Sequence, residues 1–314
     1  RALDTSRLCG DPNPVFLASF NGFKNNQHLG NSGVNGTPFL STTANELSDV
    51  GTYTITAAKG DLTATNYDFQ YTTGTLAVGK TTVIVRADDK TRIYGDANPA
   101  FTYTYSGFKN SQNFNTSDIQ GEPSLTTLAN ELSSVANYAI SITQGTLTSS
   151  NYDLKFSDGN LAVTKAMISV SADNKDRIYG DANPAFTATF SGWKNGQDIE
   201  SSDVTGTPGL TTTANALSDV GPYTINAAVG TLLSGNYNFQ FTNGTLTIGK
   251  AMITVRADNK SRSYGDANPA FTATYNGWKN GHNFGTSGVT GAPSLITDAN
   301  EASDVGSYSI NASV

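Results

Sequence analysis

Two rows of side chains in this sequence have the types and the spacing to do chemistry. The first row is acidic. Asp88, Asp173 and Asp258 stand 85 residues apart, and Asp96, Asp181 and Asp266 keep the same interval. Each pair brackets a single loop, and carboxylates placed in that way supply the hard oxygen ligands that hold Ca²⁺. The ordered D-x-[DN]-x-[DN]-G pattern of a calcium loop is missing, however, and Lys or Arg is interleaved between the two acids. Turn chemistry competes with the metal: an Asp two residues before Asn-Pro accepts backbone N–H bonds, while Pro fixes the entry to the next strand. An Arg four residues before the second Asp is placed to pair with it. The second row is aromatic. Phe23, Phe108, Trp193 and Trp278 share one position, each followed by Lys-Asn. Rings beside amides stack on sugars, and four in series would bind a surface glycan with avidity. The alternative is a plug that closes the end of a core, the usual fate of large aromatic side chains.

Other chemistries find no support. His28 and His282 have no counterparts at equivalent positions, which argues against a repeated metal or acid–base site built on histidine. No Ser/His/Asp constellation recurs, so the chain is not expected to be an enzyme or to carry a cofactor beyond Ca²⁺ at its junctions. Glycine is frequent, but a phosphate-binding loop needs a following helix, and none is predicted. The net charge of −7 is spread without a basic run, which excludes nucleic acid and anionic membrane surfaces as partners. No apolar run reaches the length of a membrane span. A single cysteine, Cys9, allows no internal disulfide, a usage that suits a cytosolic protein or a bacterial surface protein.

The elements that must position these rows are themselves repeated. Tyr-Gly-Asp-Ala-Asn-Pro-Ala-Phe-Thr stands at residues 94–102, 179–187 and 264–272, with a worn copy at 9–17 in which Cys9 replaces the tyrosine. Internal repetition of this kind sets the architecture before any local reading. Within the second copy, residues 83–87, 101–105, 124–128, 137–142, 151–156 and 160–163 carry the short alternating patterns of strands. Residues 106–110 read as a turn and 111–122 as a long loop, and 129–132 has room for one helical turn. Asp49-Val-Gly-Thr-Tyr53 recurs near 219 and 304, and in varied form at 134. A tyrosine at a strand start, two residues before a core position, matches the tyrosine corner of Ig-like sandwiches. The expectation is an all-β fold: a tandem array of Ig-like antiparallel β-sandwich domains.

The junctions carry no Pro- or Ser-rich linker. Leu76 and Val78 share one parity and Val83 and Val85 the other, so the buried face switches across Lys80. Lys165 and Lys250 mark the same switch. This predicts domains at 1–80, lacking its first strand, at 81–165, at 166–250, and at 251–314, lacking its last strands. Near-continuous strands between domains predict an extended, stiff rod rather than beads on flexible linkers. Each unit should add roughly 30–40 Å of length.

The frame V-x-A-D-[DN]-K, Y-G-D-A-N-P-A-F-T, S-G-[FW]-K-N, D-V-G-x-Y-x-I, N-Y-[DN]-[LF], G-T-L-x-[IV]-x-K resembles the MBG family, the mostly bacterial glycine-rich domains, over essentially all of 1–314. The first unit departs from it at Leu3 and Cys9. The resemblance implies Ig-like repeats of large secreted or cell-surface bacterial proteins, including adhesin-like chains, and it brings no catalytic residues with it. The expected function is therefore a structural stalk that spaces a tip from the cell surface, with neighbouring repeats as partners and an extracellular location. Two alternatives stand beside it. One is multivalent glycan binding through Phe23, Phe108, Trp193 and Trp278. The other is a filament subunit whose incomplete end domains are filled by strands of another copy.

Overall fold

A computed structural model describes all residues, 1–314. By contact density the chain divides into two compact units, residues 1–164 and 165–314, each holding two repeats.

In the first unit, repeat 1 contains β1 (Thr5–Leu8), β2 (Phe39–Ser41), β3 (Gly51–Ala58) and β4 (Gly74–Gly79) in one sheet of order β1-β4-β3-β2. Repeat 2 contains β5 (Thr81–Ala87), β6 (Lys90–Ile93), β7 (Tyr103–Ser106), β8 (Ser124–Thr126), β9 (Asn137–Thr143), β10 (Tyr152–Ser157) and β11 (Gly159–Thr164). They form two sheets, β10-β5-β7 and β6-β11-β9-β8. Val83, Val85 and Ala87 from the first sheet meet Ile140, Ile142 and Leu161 from the second in one buried cluster, with Leu147 and Tyr152. The period-two pattern of β5, with every odd residue buried, is what places one face in that core.

In the second unit, repeat 3 repeats this plan with β12 (Ala166–Ala172), β13 (Lys175–Ile178), β14 (Ala188–Ser191), β15 (Gly209–Thr211), β16 (Gly221–Ala228), β17 (Tyr237–Thr242) and β18 (Gly244–Gly249). Its sheets are β14-β12-β17 and β13-β18-β16-β15. Repeat 4 holds β19 (Thr254–Ala257), β20 (Ala273–Asn276), β21 (Ser294–Ile296) and β22 (Asn311–Ser313) in two strand pairs. Residues 260–263, which correspond to β13, form no strand there. Their partner in repeat 3 is β18, and 314 is the counterpart of Val229, ahead of that strand.

The all-β tandem architecture agrees with the sequence pattern, and three local features differ from it. The sheets are mixed rather than antiparallel throughout. β5 runs parallel to β10 and β6 parallel to β11, and β12/β17 and β13/β18 repeat this. Parallel neighbours need a long crossover, and here most of the repeat supplies it. The segment Lys90–Ile93, too polar to read as a strand, is β6, an edge strand that buries only Arg92. Residues 129–132 form no helical turn. Asn130 turns the chain there by accepting the Leu132 N–H on its side chain, at 3.0 Å. The single helical turn is instead a 3₁₀ turn at Phe114–Thr116, capped by Asn113.

At the first junction one residue, Lys80, separates β4 from β5. Leu76 and Val78 are buried on one side of it, and Val83 and Val85 on the other. No helix in the chain is long and apolar enough to cross a membrane.

Candidate functional site: the joint between successive repeats

Within each unit, the repeated motifs converge where one repeat meets the next. One half of this joint belongs to the preceding repeat. There the Asp-x-Asn-Pro turn is latched to the Ala-Asn-Glu loop by a buried arginine. Arg7 Nε donates to Asn13 Oδ1 at 2.7 Å, its Nη1 to the Leu8 carbonyl, and its Nη2 to the Asn45 carbonyl. Asn13 Nδ2 in turn donates to the Ala44 carbonyl at 2.7 Å. Arg92 and Arg177 repeat the fork with Asn98 and Asn183 and with the carbonyls of Asn130 and Asn215. These guanidinium groups are almost fully buried with no carboxylate beside them, so a fan of carbonyl acceptors replaces their hydration. The arginine thus serves Asn13 rather than the expected Asp11, and Asp11 faces the next repeat instead.

The other half is the aromatic-Lys-Asn turn of the following repeat. Asn110 and Ser111 have φ of 52° and 57°, Asn280 and Gly281 of 54° and 71°. The Gln112 N–H closes the turn on the Lys109 carbonyl, and the His282 N–H on that of Lys279, at 3.0 Å each. Two successive positive φ values with that bond define a type I′ turn, which asparagine and glycine tolerate best; in repeat 2 Ser111 takes the second position. The aromatic residue and a tyrosine of the Asn-Tyr motif hold the turn in place. Phe108 packs edge-on to Tyr152 at 5.6 Å, as Phe23 does to Tyr67 and Trp193 to Tyr237. The Tyr67 hydroxyl accepts the Lys24 N–H at 3.1 Å and donates to Gln27. Tyr237 does the same with Lys194 and Gln197. Burial raises the Tyr152 pKa above its ordinary value.

The two halves meet on a glycine. Gly10 and Gly180 adopt φ of 85° and 86°, and a Cβ on either would stand 2.3 Å from the Cβ of Lys109 or Lys279. Lys109 Nζ then reaches Asp11 at 3.0 Å and Lys279 Nζ reaches Asp181 at 2.7 Å. Asn110 Nδ2 donates to the Glu46 carbonyl, and Asn280 Nδ2 to the Ala216 carbonyl. In the first unit Asn151 completes the clasp. Its Nδ2 donates to Asp49 at 2.7 Å and its Oδ1 accepts the Val50 N–H at 2.8 Å. In the second unit the Tyr179 hydroxyl lies 3.3 Å from His282 Nε2. The ion pairs are half-exposed, a setting in which such pairs contribute about 0–1 kcal/mol. Close approach of the lysine side-chain stem to the glycine backbone, together with the neutral amide bonds, therefore carries more of the joint than charge does.

The acids considered for calcium are placed as follows. Asp88 accepts the Thr102 hydroxyl, Asp173 those of Thr187 and Thr189, and Asp258 those of Thr272 and Thr274. These bonds tie the end of each first strand to the segment after the Asn-Pro turn. They also hold the Asp173 and Asp258 carboxyls below the usual range. Asp181 faces Lys279, and Asp96 and Asp266, like Asp181, close a turn by donating their N–H to the carbonyl three residues before, Ile93 and Ser263. No group of three or more His, Cys, Asp or Glu side chains gathers in metal-holding geometry. Phe23, Phe108, Trp193 and Trp278 are all half-buried. A groove of about 770 Å³ lies in repeat 4 between Arg256–Tyr264 and Ser303–Asn311. It occupies the position that β18 fills in repeat 3, between β13 and β16.

Sequence reasoning did not find Asn151, Asn110 or the tyrosines of the Asn-Tyr motif as joint residues. Their signal was present, since each recurs at the fixed interval, but each looked like an ordinary turn or strand residue.

Fold and joint together define a tandem-repeat protein of Ig-like β-sandwiches. The sequence matches the model of the MBG domain, YGX type, over residues 1–77, 83–162, 168–247 and 253–314, and the chain belongs to that family. No curated protein matches it. Among solved structures it is similar to the I9–I11 tandem of titin, at 15% identity over 80% of this chain and 98% of that one, with a TM-score of 0.22. It is also similar to the human desmocollin-1 ectodomain, at 7% identity over 83% of this chain and 66% of that one, with a TM-score of 0.18.

Proposed function

We propose that this chain is a non-catalytic stalk segment of an extracellular bacterial protein, and that its repeats serve to hold a tip at a set distance from the cell surface. One observation carries the reading: in each unit the motifs that recur most faithfully meet at the boundary between repeats. A ligand-binding array would be expected to spend its repeated residues on an open face. Here Gly10, Asp11 and Glu46 face Lys109 and Asn110, and Gly180, Asp181 and Ala216 face Lys279 and Asn280. A joint in which a lysine stem packs directly on a glycine of the neighbouring repeat tolerates little change in loop length, which accounts for a spacing of 85 residues kept without insertion even though surface loops accept insertions at little cost.

Half-buried rings held edge-on by tyrosines support a structural role for Phe23, Phe108 and Trp193 over glycan stacking. The deciding experiment is small-angle scattering on chains of two, three and four repeats, alongside a glycan array. A maximum dimension that grows by roughly 30–40 Å per repeat supports the stalk. A dimension that fails to grow with repeat number, or saturable glycan binding lost on Trp193→Ala, overturns it.

A further inference from the structure

We infer that each complete repeat is also a tension clamp, in which the first two strands are locked in shear against the last two. Tension along the chain enters repeat 2 at β5 and leaves from β11. β5 is paired in parallel with β10 at six positions, from Thr81↔Tyr152 to Arg86↔Ser157. β6 is paired in parallel with β11 at four, from Lys90↔Leu161 to Ile93↔Thr164. When the N-terminal end of one strand and the C-terminal end of its parallel partner are pulled apart, the strands must slide lengthwise. Their evenly spaced bonds are then loaded together. Pulling from neighbouring ends would open the same bonds one after another.

Two further contacts resist sliding. The Tyr94 N–H donates to the Thr164 carbonyl at 2.8 Å, which lengthens the ladder past the end of β6. Arg92, in the middle of β6, is forked onto Asn98 and the Asn130 carbonyl, so the strand cannot shift without stripping a buried cation. Repeat 3 has the same design, with β12/β17 paired at six positions and β13/β18 at four, and the Tyr179 N–H on the Gly249 carbonyl at 2.8 Å. This goes beyond a spacer, which needs stiffness but no resistance to extension, and it does not depend on where the chain is displayed.

Single-molecule force spectroscopy in two geometries tests it. With handles at the two chain ends, repeats 2 and 3 should each unfold in a discrete event, releasing 85 residues or roughly 300 Å of contour before the folded length is subtracted. The second geometry uses Cys9→Ser with Ile93→Cys, an exposed edge position, and pulls from that thiol and the C-terminal end. This loads β6 and β11 from neighbouring ends. Repeat 2 should then release only 71 residues (164 − 93), roughly 250 Å, at a force lower by up to about fourfold, the number of paired positions. A thermal melt equal to that of the parent establishes that the variant is folded. Equal forces in the two geometries, or end-to-end extension without discrete 85-residue events, would overturn the inference.

Discussion

The α-carbon of Gly10 lies so close to Lys109 that a methyl group there would stand 2.3 Å from the lysine Cβ, although the two residues belong to different repeats. Gly265 has nearly the same backbone, φ 88° against 85°, with no atom within 4 Å of its would-be Cβ. The pair separates two reasons for glycine, the left-handed turn and the close approach of a neighbour.

The first prediction uses that contrast. Gly265→Ala should cost about 1 kcal/mol, the penalty for a Cβ at positive φ. Gly10→Ala should carry the same strain and in addition displace Lys109 and Asn110, loosening repeat 1 from repeat 2. Native-state hydrogen exchange would show it as separate opening of the two repeats in Gly10→Ala alone. Equal effects of the two substitutions would mean that the glycine contact does not hold the joint.

Arg92→Lys is the second. Lysine keeps the charge but cannot reproduce the planar fork that reaches Asn98 and the carbonyls of Ile93 and Asn130. A buried ammonium with poorer partners should lower stability by about 2–4 kcal/mol in urea unfolding. A change below about 0.5 kcal/mol, typical of a surface site, would contradict the structural role.

Core and joint differ in how far the sequence makes them legible. The strands that form the core were readable from alternation, since Val83, Val85 and Ala87 must share a face. The face switch across Lys80 was readable because parity is a counting argument. Parallel pairing was not, because the partners of β5 and β6 come from the far end of the repeat and no local pattern encodes them. β6 itself escaped notice because an edge strand that buries a polar residue lacks the apolar alternation of a strand. The joint was half legible. The repeated Gly-Asp and Lys-Asn were each visible, but no spacing rule reveals that Asp11 of one repeat faces Lys109 of the next. The arginine's partner is hidden for a related reason: charge complementarity points to Asp11, whereas burial demands carbonyls that only the folded loop supplies.

A third prediction concerns Tyr105, whose buried hydroxyl makes no well-formed hydrogen bond and has only the weak influence of the Tyr103 hydroxyl beside it. Its ring lies among Tyr103, Phe108 and Phe114, and burial pushes its pKa up to about 12 from 10.0. The equivalent positions hold Phe20, Phe190 and Tyr275. Tyr105→Phe should therefore stabilise repeat 2, by about 1 kcal/mol, since it removes an unsatisfied polar atom. Because the folded pKa is raised, the neutral phenol favours folding below pH 10, and that contribution is lost as pH rises through 12. Melting curves between pH 9 and pH 12 should fall more steeply for the parent than for Tyr105→Phe. A destabilised variant would point to a water-mediated partner for the hydroxyl.

The last prediction separates threonine from calcium at the first-strand acids. Asp173 accepts two hydroxyls, from Thr187 and Thr189, and Asp258 two from Thr272 and Thr274. Those bonds satisfy the carboxylates without a metal, so a chelator should leave the thermal melt unchanged, and added Ca²⁺ should not raise it. The same bonds favour the charged form and lower both pKa values from 3.8. A lowered folded pKa contributes stability that is complete above the unfolded value and fades as pH falls through the folded one. Melting temperature should thus hold to about pH 4 and decline below it. Asp173→Asn should lower the plateau and flatten the decline, because an amide does not titrate. A metal-dependent melt that Asp173→Asn abolishes would instead restore the calcium reading, with the threonines serving only to orient the ligands.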